Sequence, residues 1–182
     1  MGEAERTTIK NLTDLIHNLE DGNYQLASNG VEGLRITPEE MDTYSFFKDD
    51  VYTRNCVSRN EDYELIALCW PVGQVTAIHG HDNQECWVKV VAGTFEEIIY
   101  KYDSENNRMV EESKHILQEH NLAHIDDENL FHSLRNISDQ KAISLHLYIK
   151  PINSCEVYNK KDGNLVVRNL SYFSEKGEIL ID

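Results

Sequence analysis

The chain is predicted to be all-β, a sandwich or barrel with a small helical cap at its N-terminus, and three observations carry that prediction. Aliphatic, strand-like segments recur at intervals of roughly ten residues from Tyr63 onward. Turn signals separate them at Pro71-Val72-Gly73, at Gly93, from Asp103 to Asn107, and at Asp162-Gly163, a spacing typical of sandwiches and barrels. Ahead of Tyr63 the period changes, with Ile9, Leu12, Leu15, Ile16 and Leu19 at helical spacing up to Gly22.

A second helix is expected to start at Thr37-Pro38-Glu39-Glu40, with Thr37 as N-cap, Pro38 in the first turn and Glu40 closing a capping box. Nothing between these helices and Tyr63 resembles a linker, so they are expected to cap the barrel and not to form a unit of their own. A length of 182 residues suffices for one sizeable core and is short for two. The expected organisation is therefore a single domain over 1–182, with 1–50 as cap and 51–182 as barrel and C-terminal strands. No internal repeat or low-complexity run interrupts it.

Gln74 to His81 reads as a strand, with Val, Thr, Ala and Ile leading into the histidines and no glycine until Gly80. Alternate residues of a strand share a face, so His79 and His81 can converge on one point, although two partly exposed histidines would give the same H-x-H. The surrounding run G-x5-H-x-H-x4-C-x6-G, from Gly73 through Cys86 to Gly93, is more informative, because both glycines fall where turns should end strands. An acidic turn, Asp126-Asp127-Glu128, feeds a short strand carrying His132 four residues before Asn136. Further on, Ser144, His146 and Tyr148 alternate with Ile143, Leu145 and Leu147, so the polar three share one face. Buried, they could satisfy one another from hydroxyl to imidazole to phenol; the alternative is a solvent-facing row on an edge strand.

His79, His81 and His132 make a candidate metal set. Three neutral imidazoles suit Fe(II), Zn(II) or Ni(II), and they leave the ion's charge uncancelled, which favours an anionic ligand such as a thiolate. The competitor is Glu85, which could replace an imidazole to give two histidines and a carboxylate. Cys86 is the preferred inward residue because it gives both the x4 and the x6 spacing, and Glu85 is then expected at the rim. His17, His115, His120 and His124 need no metal, His124 being the one on the strand that leads towards His132.

A net charge of -15 excludes nucleic acid and anionic membrane surfaces as partners, since both require basic patches, and it makes Arg54 stand out as a local cation for an anionic substrate. Four cysteines make no disulfide framework, and nothing apolar at the N-terminus reads as a leader or span; Met1-Gly2 is no myristoylation signal because the sixth residue is Arg6. A cytoplasmic location is expected, with Cys56 and Cys69 packed in the core and Cys155 near a pocket mouth. Neither G-x-G-x-x-G nor a P-loop is present.

Taken in order, Tyr52-Thr53-Arg54-Asn55, Cys69-Trp70, the His79/His81/Cys86 block, His132 and the Ser144-to-Tyr148 row resemble the cysteine dioxygenases of the cupin superfamily, over roughly Tyr52 to Lys176. The resemblance implies a cupin jelly-roll barrel and a mononuclear non-haem Fe(II) enzyme. Such an enzyme adds both atoms of O2 to the thiol of L-cysteine, giving cysteine sulfinic acid on the way to taurine and sulfate. By position, it implies His79, His81 and His132 as iron ligands and Arg54 as receiver of the substrate carboxylate. Cys86 and Tyr148 would form a thioether crosslink, Ser144 and His146 would orient Tyr148, and Tyr52 and Trp70 would line the pocket. Lys150 stands where the family often has a cis proline. The expected partner is the small thiol alone, with no nucleic acid or membrane, and the expected state is a monomer. The alternatives are a dioxygenase of 3-mercaptopropionate or cysteamine, and a metal-binding cupin without turnover; Arg54 and Cys86 favour the cysteine-using branch.

Overall fold

The computed structural model describes residues 9–81, 84–127 and 129–180. Residues 1–8 of the expected cap, with Met1-Gly2 and Arg6, and Glu128 of the acidic turn lie outside the described residues.

The first expected helix forms as α1 (Leu12–Glu20). The Asn11 side chain accepts the Asp14 N–H at 2.8 Å, Leu12, Leu15 and Leu19 are buried, and Gly22 ends the segment at φ +79. A second helix, α2 (Tyr24–Gly33), was not expected: Ala27 and Val31 are its buried apolar residues, too few to show a helical period. Its Gly30 admits the close approach of Ile9, whose side chain would lie 2.8 Å from an added Cβ. The helix expected from Thr37 is instead a short 3-10 turn, Glu39–Tyr44, with Met41 its buried residue, so no apolar stripe extends it. Half of the capping box is present, the Thr37 N–H donating to Glu40 Oε2 at 2.9 Å. Glu40 Oε1 accepts the Leu12 N–H at 3.1 Å and so ties this turn to the start of α1.

The strands run β1 (Thr53–Arg59), β2 (Glu64–Trp70), β3 (Glu85–Ala92), β4 (Phe95–Asp103), β5 (Arg108–Leu117), β6 (Leu122–Ile125), β7 (Leu130–Asn136), β8 (Ala142–Ile149), β9 (Ser154–Tyr158), β10 (Leu165–Asn169), β11 (Ser174–Glu175) and β12 (Glu178–Ile179). One sheet has the order β12-β11-β1-β2-β8-β3-β6; β5-β4-β7 and β10-β9 form the others. This is the all-β barrel with a small helical cap that was expected. No helix among the described residues is long and apolar enough to cross a membrane.

Every residue of β2 is buried because both of its faces are covered. Leu65 and Ala67 pack with Leu145 and Leu147 of β8 beneath the helices, while Ile66, Leu68 and Trp70 join Val88, Phe95 and Leu134 inside the barrel.

Gln74 to His81 is not a regular strand. It bends at Ile78 and holds its neighbours by isolated bridges only, Val75 to Arg135 and His79 to both His132 and Val157. The reason is that its backbone serves two strands. His79 exchanges hydrogen bonds with His132 at 3.0 and 2.9 Å on one side, and on the other the Tyr158 N–H reaches Ile78 O at 2.9 Å and the Gly80 N–H reaches Glu156 O at 3.0 Å. The segment thereby links β7 to β9. The peptide bond between Ile149 and Lys150 is cis.

The predicted turns at Gly73 and Gly93 both need positive φ, +72 and +91. At Gly93 an added Cβ would also lie 2.6 Å from the Ala142 Cβ. Gly93→Ala is expected to lower stability by about 2–3 kcal/mol, read as a lower urea midpoint with an unchanged denaturant slope.

Candidate metal centre and thiol pocket

His79, from the bridging segment, faces His132 of β7 as its backbone partner, and His81 follows two residues on. Their ligand nitrogens all lie within 4.8 Å of one another, and Nε2 of His81 is 2.9 Å from Nε2 of His132. Two nitrogens about 2.1 Å from a first-row cation at a right angle would stand about 3.0 Å apart. The ring tautomers suit such an ion. Nδ1 of His79 meets Ala77 O at 2.9 Å and Nδ1 of His132 meets Glu97 Oε1 at 2.9 Å, which turns both Nε2 lone pairs towards the common centre. Burial, with His132 adding to it, pushes His79 down to about 3 and His81 well below the ordinary imidazole value. A neutral imidazole with its proton on Nδ1 and a free lone pair on Nε2 is what a divalent cation requires.

Glu97 escaped the sequence reading. It lies on β4 opposite Leu134, while Ile99 lies opposite His132, so it is the diagonal neighbour of His132 on the same face. Its one signal was its place in the alternation Phe95, Glu97, Ile99, where an acid shares a face with the buried Phe95. Glu85 points outward instead, 52% exposed, with its carboxylate 3.9 Å from Nε2 of His124, itself stacked on Trp87.

Cys86 of β3 and Tyr148 of β8 are direct cross-strand partners. Both are buried, and thiol and phenol hydrogen-bond. Burial holds the proton on each, raising the thiol and the phenol well above their usual values. The Tyr148 ring meets His81 edge-on at 5.6 Å. Because β8 lies between β2 and β3, its polar row faces the barrel interior and is no edge strand. Ser144 Oγ is 2.8 Å from Nε2 of His146 and accepts the Trp70 indole N–H at 2.9 Å. The next link is a stacked contact, with the His146 and Tyr148 rings 6.4 Å apart.

Arg54 of β1 is 13% exposed, and its Nη2 lies 3.7 Å from Oε1 of the fully buried Glu64. That contact is an ion pair without a hydrogen bond: Nε and Nη2 are both buried and lack any hydrogen-bond partner. Two unsatisfied guanidinium donors carry a desolvation cost that a carboxylate would offset bidentately. Arg54 lines a cavity of roughly 760 Å³ whose wall also includes His79, His132, His146 and Tyr148. Tyr52 and Trp70, stacked at 4.9 Å, and Cys155 complete the predicted lining. His81, Cys86 and Ser144 are buried and are not among the residues that line the cavity. Cys56 and Cys69 are packed away from the cavity, with burial pushing their thiols up to about 12 and about 11. His17, His115 and His124 lie exposed.

The sequence profile of the family described as cysteine dioxygenase type I matches residues 3–161. Cysteine dioxygenase type 1 of Homo sapiens is 31% identical over 176 residues, covering 93% of this chain and 88% of that protein. That of Danio rerio is 28% identical over 178 residues, covering 94% and 89%. Among solved structures, a conserved protein with a double-stranded β-helix domain from Klebsiella pneumoniae subsp. pneumoniae superposes with a TM-score of 0.49 and 14% identity, over 71% of this chain and 95% of that one.

Two measurements probe the metal centre. Glu97→Gln, which removes the charge behind His132, is expected to weaken Fe(II) affinity about 10- to 100-fold. Between pH 7.5 and 6.0, two imidazoles of ordinary basicity would together lose about tenfold in metal affinity to protons. Since His79 and His81 stay neutral down through that window, Fe(II) affinity measured by equilibrium dialysis is expected to change less than that.

Proposed function

The chain belongs to the cysteine dioxygenase type I family, and we propose that its cavity binds L-cysteine and directs both atoms of O2 to the thiol sulfur, giving cysteine sulfinic acid. The observation that carries this reading is the pairing of a convergent trio of imidazoles, two of them on the wall of the cavity, with a buried guanidinium on the same wall whose Nε and Nη2 lack partners. Thiol plus O2 gives sulfinic acid with atoms and electrons balanced, so no reducing co-substrate is needed.

His79, His81 and His132 would hold Fe(II), with Glu97 and Ala77 O fixing the orientation of two of the rings. When bound, the ferrous ion supplies a single positively charged centre at which thiolate sulfur and O2 meet, replacing a bimolecular encounter. Arg54 receives the substrate carboxylate through its two open donors and so sets the distance from carboxylate to sulfur. Tyr148 keeps its proton at the cavity wall because burial disfavours the phenolate, and it is therefore a hydrogen-bond donor towards the reacting atoms. Trp70 and Ser144 hold His146, which stacks on Tyr148 and limits its tilt.

The Cys86–Tyr148 pair favours the thioether: the residues face each other in register and already hydrogen-bond. Joining sulfur to the ring removes the thiol hydrogen and one ring hydrogen, with the two electrons passing to O2. The bond would lock the phenol and remove a competing thiol from the cavity. We further place the protein in the cytoplasm as a monomer made of one barrel domain, a setting that suits its buried, reduced thiols at Cys56, Cys69 and Cys86.

After anaerobic loading with Fe(II), oxygen uptake is expected to be most efficient with L-cysteine, with the sulfinate as product and lower kcat/KM for 3-mercaptopropionate and cysteamine. Protein that holds iron and binds cysteine yet consumes no oxygen would overturn the reading in favour of a non-catalytic cupin. Arg54→Ala removes a charge-assisted pair worth about 2–3 kcal/mol, so KM for cysteine is expected to rise about 30-fold or more. Cys86→Ser is expected to abolish the faster-migrating, crosslinked band on a denaturing gel.

A further inference from the structure

Arg54 and Arg59 are five residues apart on β1, a spacing that would place them on opposite faces of a regular strand. The register slips between Cys56 and Ser58, so Arg54 pairs with Leu68 and Arg59 with Glu64, and both arginines share the face that carries Glu64. The chain's C-terminal part returns to this face. β11 pairs in parallel with β1, and the Phe173 N–H donates to Arg54 O at 2.7 Å. This lays Tyr172, which lies beyond the residues matched by the family profile, over both guanidinium groups, with ring contacts of 5.8 Å to Arg54 and 5.5 Å to Arg59.

The Tyr172 hydroxyl accepts from Arg59 Nη1 at 3.0 Å and donates to Glu64 Oε1. The other carboxylate oxygen, Oε2, accepts the Ile152 N–H at 3.0 Å. Glu64 is therefore held at both oxygens by groups other than Arg54, and its nearest approach to the guanidinium stays at 3.7 Å, beyond a hydrogen bond. A fully buried carboxylate left to itself would close on the adjacent guanidinium and occupy its donors.

From this arrangement we infer that Tyr172 and Glu64 are positioning residues for Arg54: the phenol diverts Glu64 and thereby keeps Nε and Nη2 of Arg54 available to a thiol substrate that carries a carboxylate. The pair makes the cavity selective for carboxylated thiols over cysteamine, whose single charged group is a cation. Glu64 still balances part of the guanidinium charge, and Tyr172 sets how closely it does so. The inference rests on the proposed role of Arg54 as carboxylate receiver.

The test compares oxygen-uptake kinetics of the iron-loaded wild type, Tyr172→Phe, Arg54→Ala, Tyr172→Phe/Glu64→Gln and Tyr172→Phe/Arg54→Ala with cysteine and with cysteamine. Phenylalanine keeps the ring over the arginines and removes only the hydroxyl. Tyr172→Phe is expected to raise KM for cysteine about five- to tenfold and to leave KM for cysteamine within twofold. Adding Glu64→Gln is expected to restore part of the cysteine affinity, because a neutral amide competes poorly for the guanidinium. In the Arg54→Ala background the Tyr172→Phe effect is expected to vanish. Equal losses with both thiols, or an undiminished effect without Arg54, would overturn the inference. If Arg54→Ala by itself leaves the cysteine KM unchanged, the reading of Arg54 fails with it; if that variant behaves as expected and Tyr172→Phe is silent, only the positioning role fails.

Discussion

The antiparallel register of the four central strands β1, β2, β8 and β3 is the constraint on which the site depends. It places Glu64, Tyr148 and Cys86 in one row across the sheet, and Leu68, Ser144 and Val90 in another. Because side chains alternate between faces, a slip by one residue at any of these pairings would send the polar row of β8 out beneath the helices and bring Leu145 and Leu147 into the cavity. The helices on the outer face help to forbid that slip. They supply the apolar partners for Leu65, Ala67, Leu145 and Leu147, so the outer core and the inner site are specified by one alternation.

The opposite wall is built differently. Two of its three histidines, His79 and His81, come from a segment that forms no ladder of its own and is held between β7 and β9 by paired backbone bonds. The irregularity does not loosen the site, since the two-way hydrogen bonding of His79 with His132 sets the separation of two of the three imidazoles through the main chain. The third, His81, follows immediately after Gly80, where Phe131 would lie 3.4 Å from an added Cβ. The spacing of the candidate ligands His79 and His132 comes from backbone pairing, with side-chain hydrogen bonds adding tautomer and tilt.

Electrostatically, the cavity is the reverse of the protein around it. The chain as a whole carries -15, yet the buried acids near the site are already held by partners: Glu97 by Nδ1 of His132, Glu64 by Tyr172 and the Ile152 N–H. What remains facing inward is neutral imidazole, protonated phenol and a guanidinium with unfilled donors. That arrangement suits a substrate arriving with a carboxylate and a thiolate, because both of its negative groups find a positive or metal-ready partner in a poorly screened space.

How much of this was legible in the chain follows from the range of the interactions involved. Local signals sufficed for α1, whose apolar residues repeat at helical spacing, for the turns at Gly73 and Gly93, which need positive φ, and for the shared face of Ser144, His146 and Tyr148, which needs only alternation, whereas its inward direction did not follow from them. The outward placement of Glu85 followed from its being next to an inward Cys86. Helix α2 was missed and the 3-10 turn was expected as a longer helix because packing against neighbours decides them more than their own period does. The bend that turns Gln74 to His81 from strand into bridge, the approach of Glu97 to His132 and the return of Tyr172 to Arg54 all join residues far apart along the chain. Sequence by itself determined which side chains could share a face; only the tertiary structure decided which faces meet, because that choice rests on the register and the backbone pairing of distant strands.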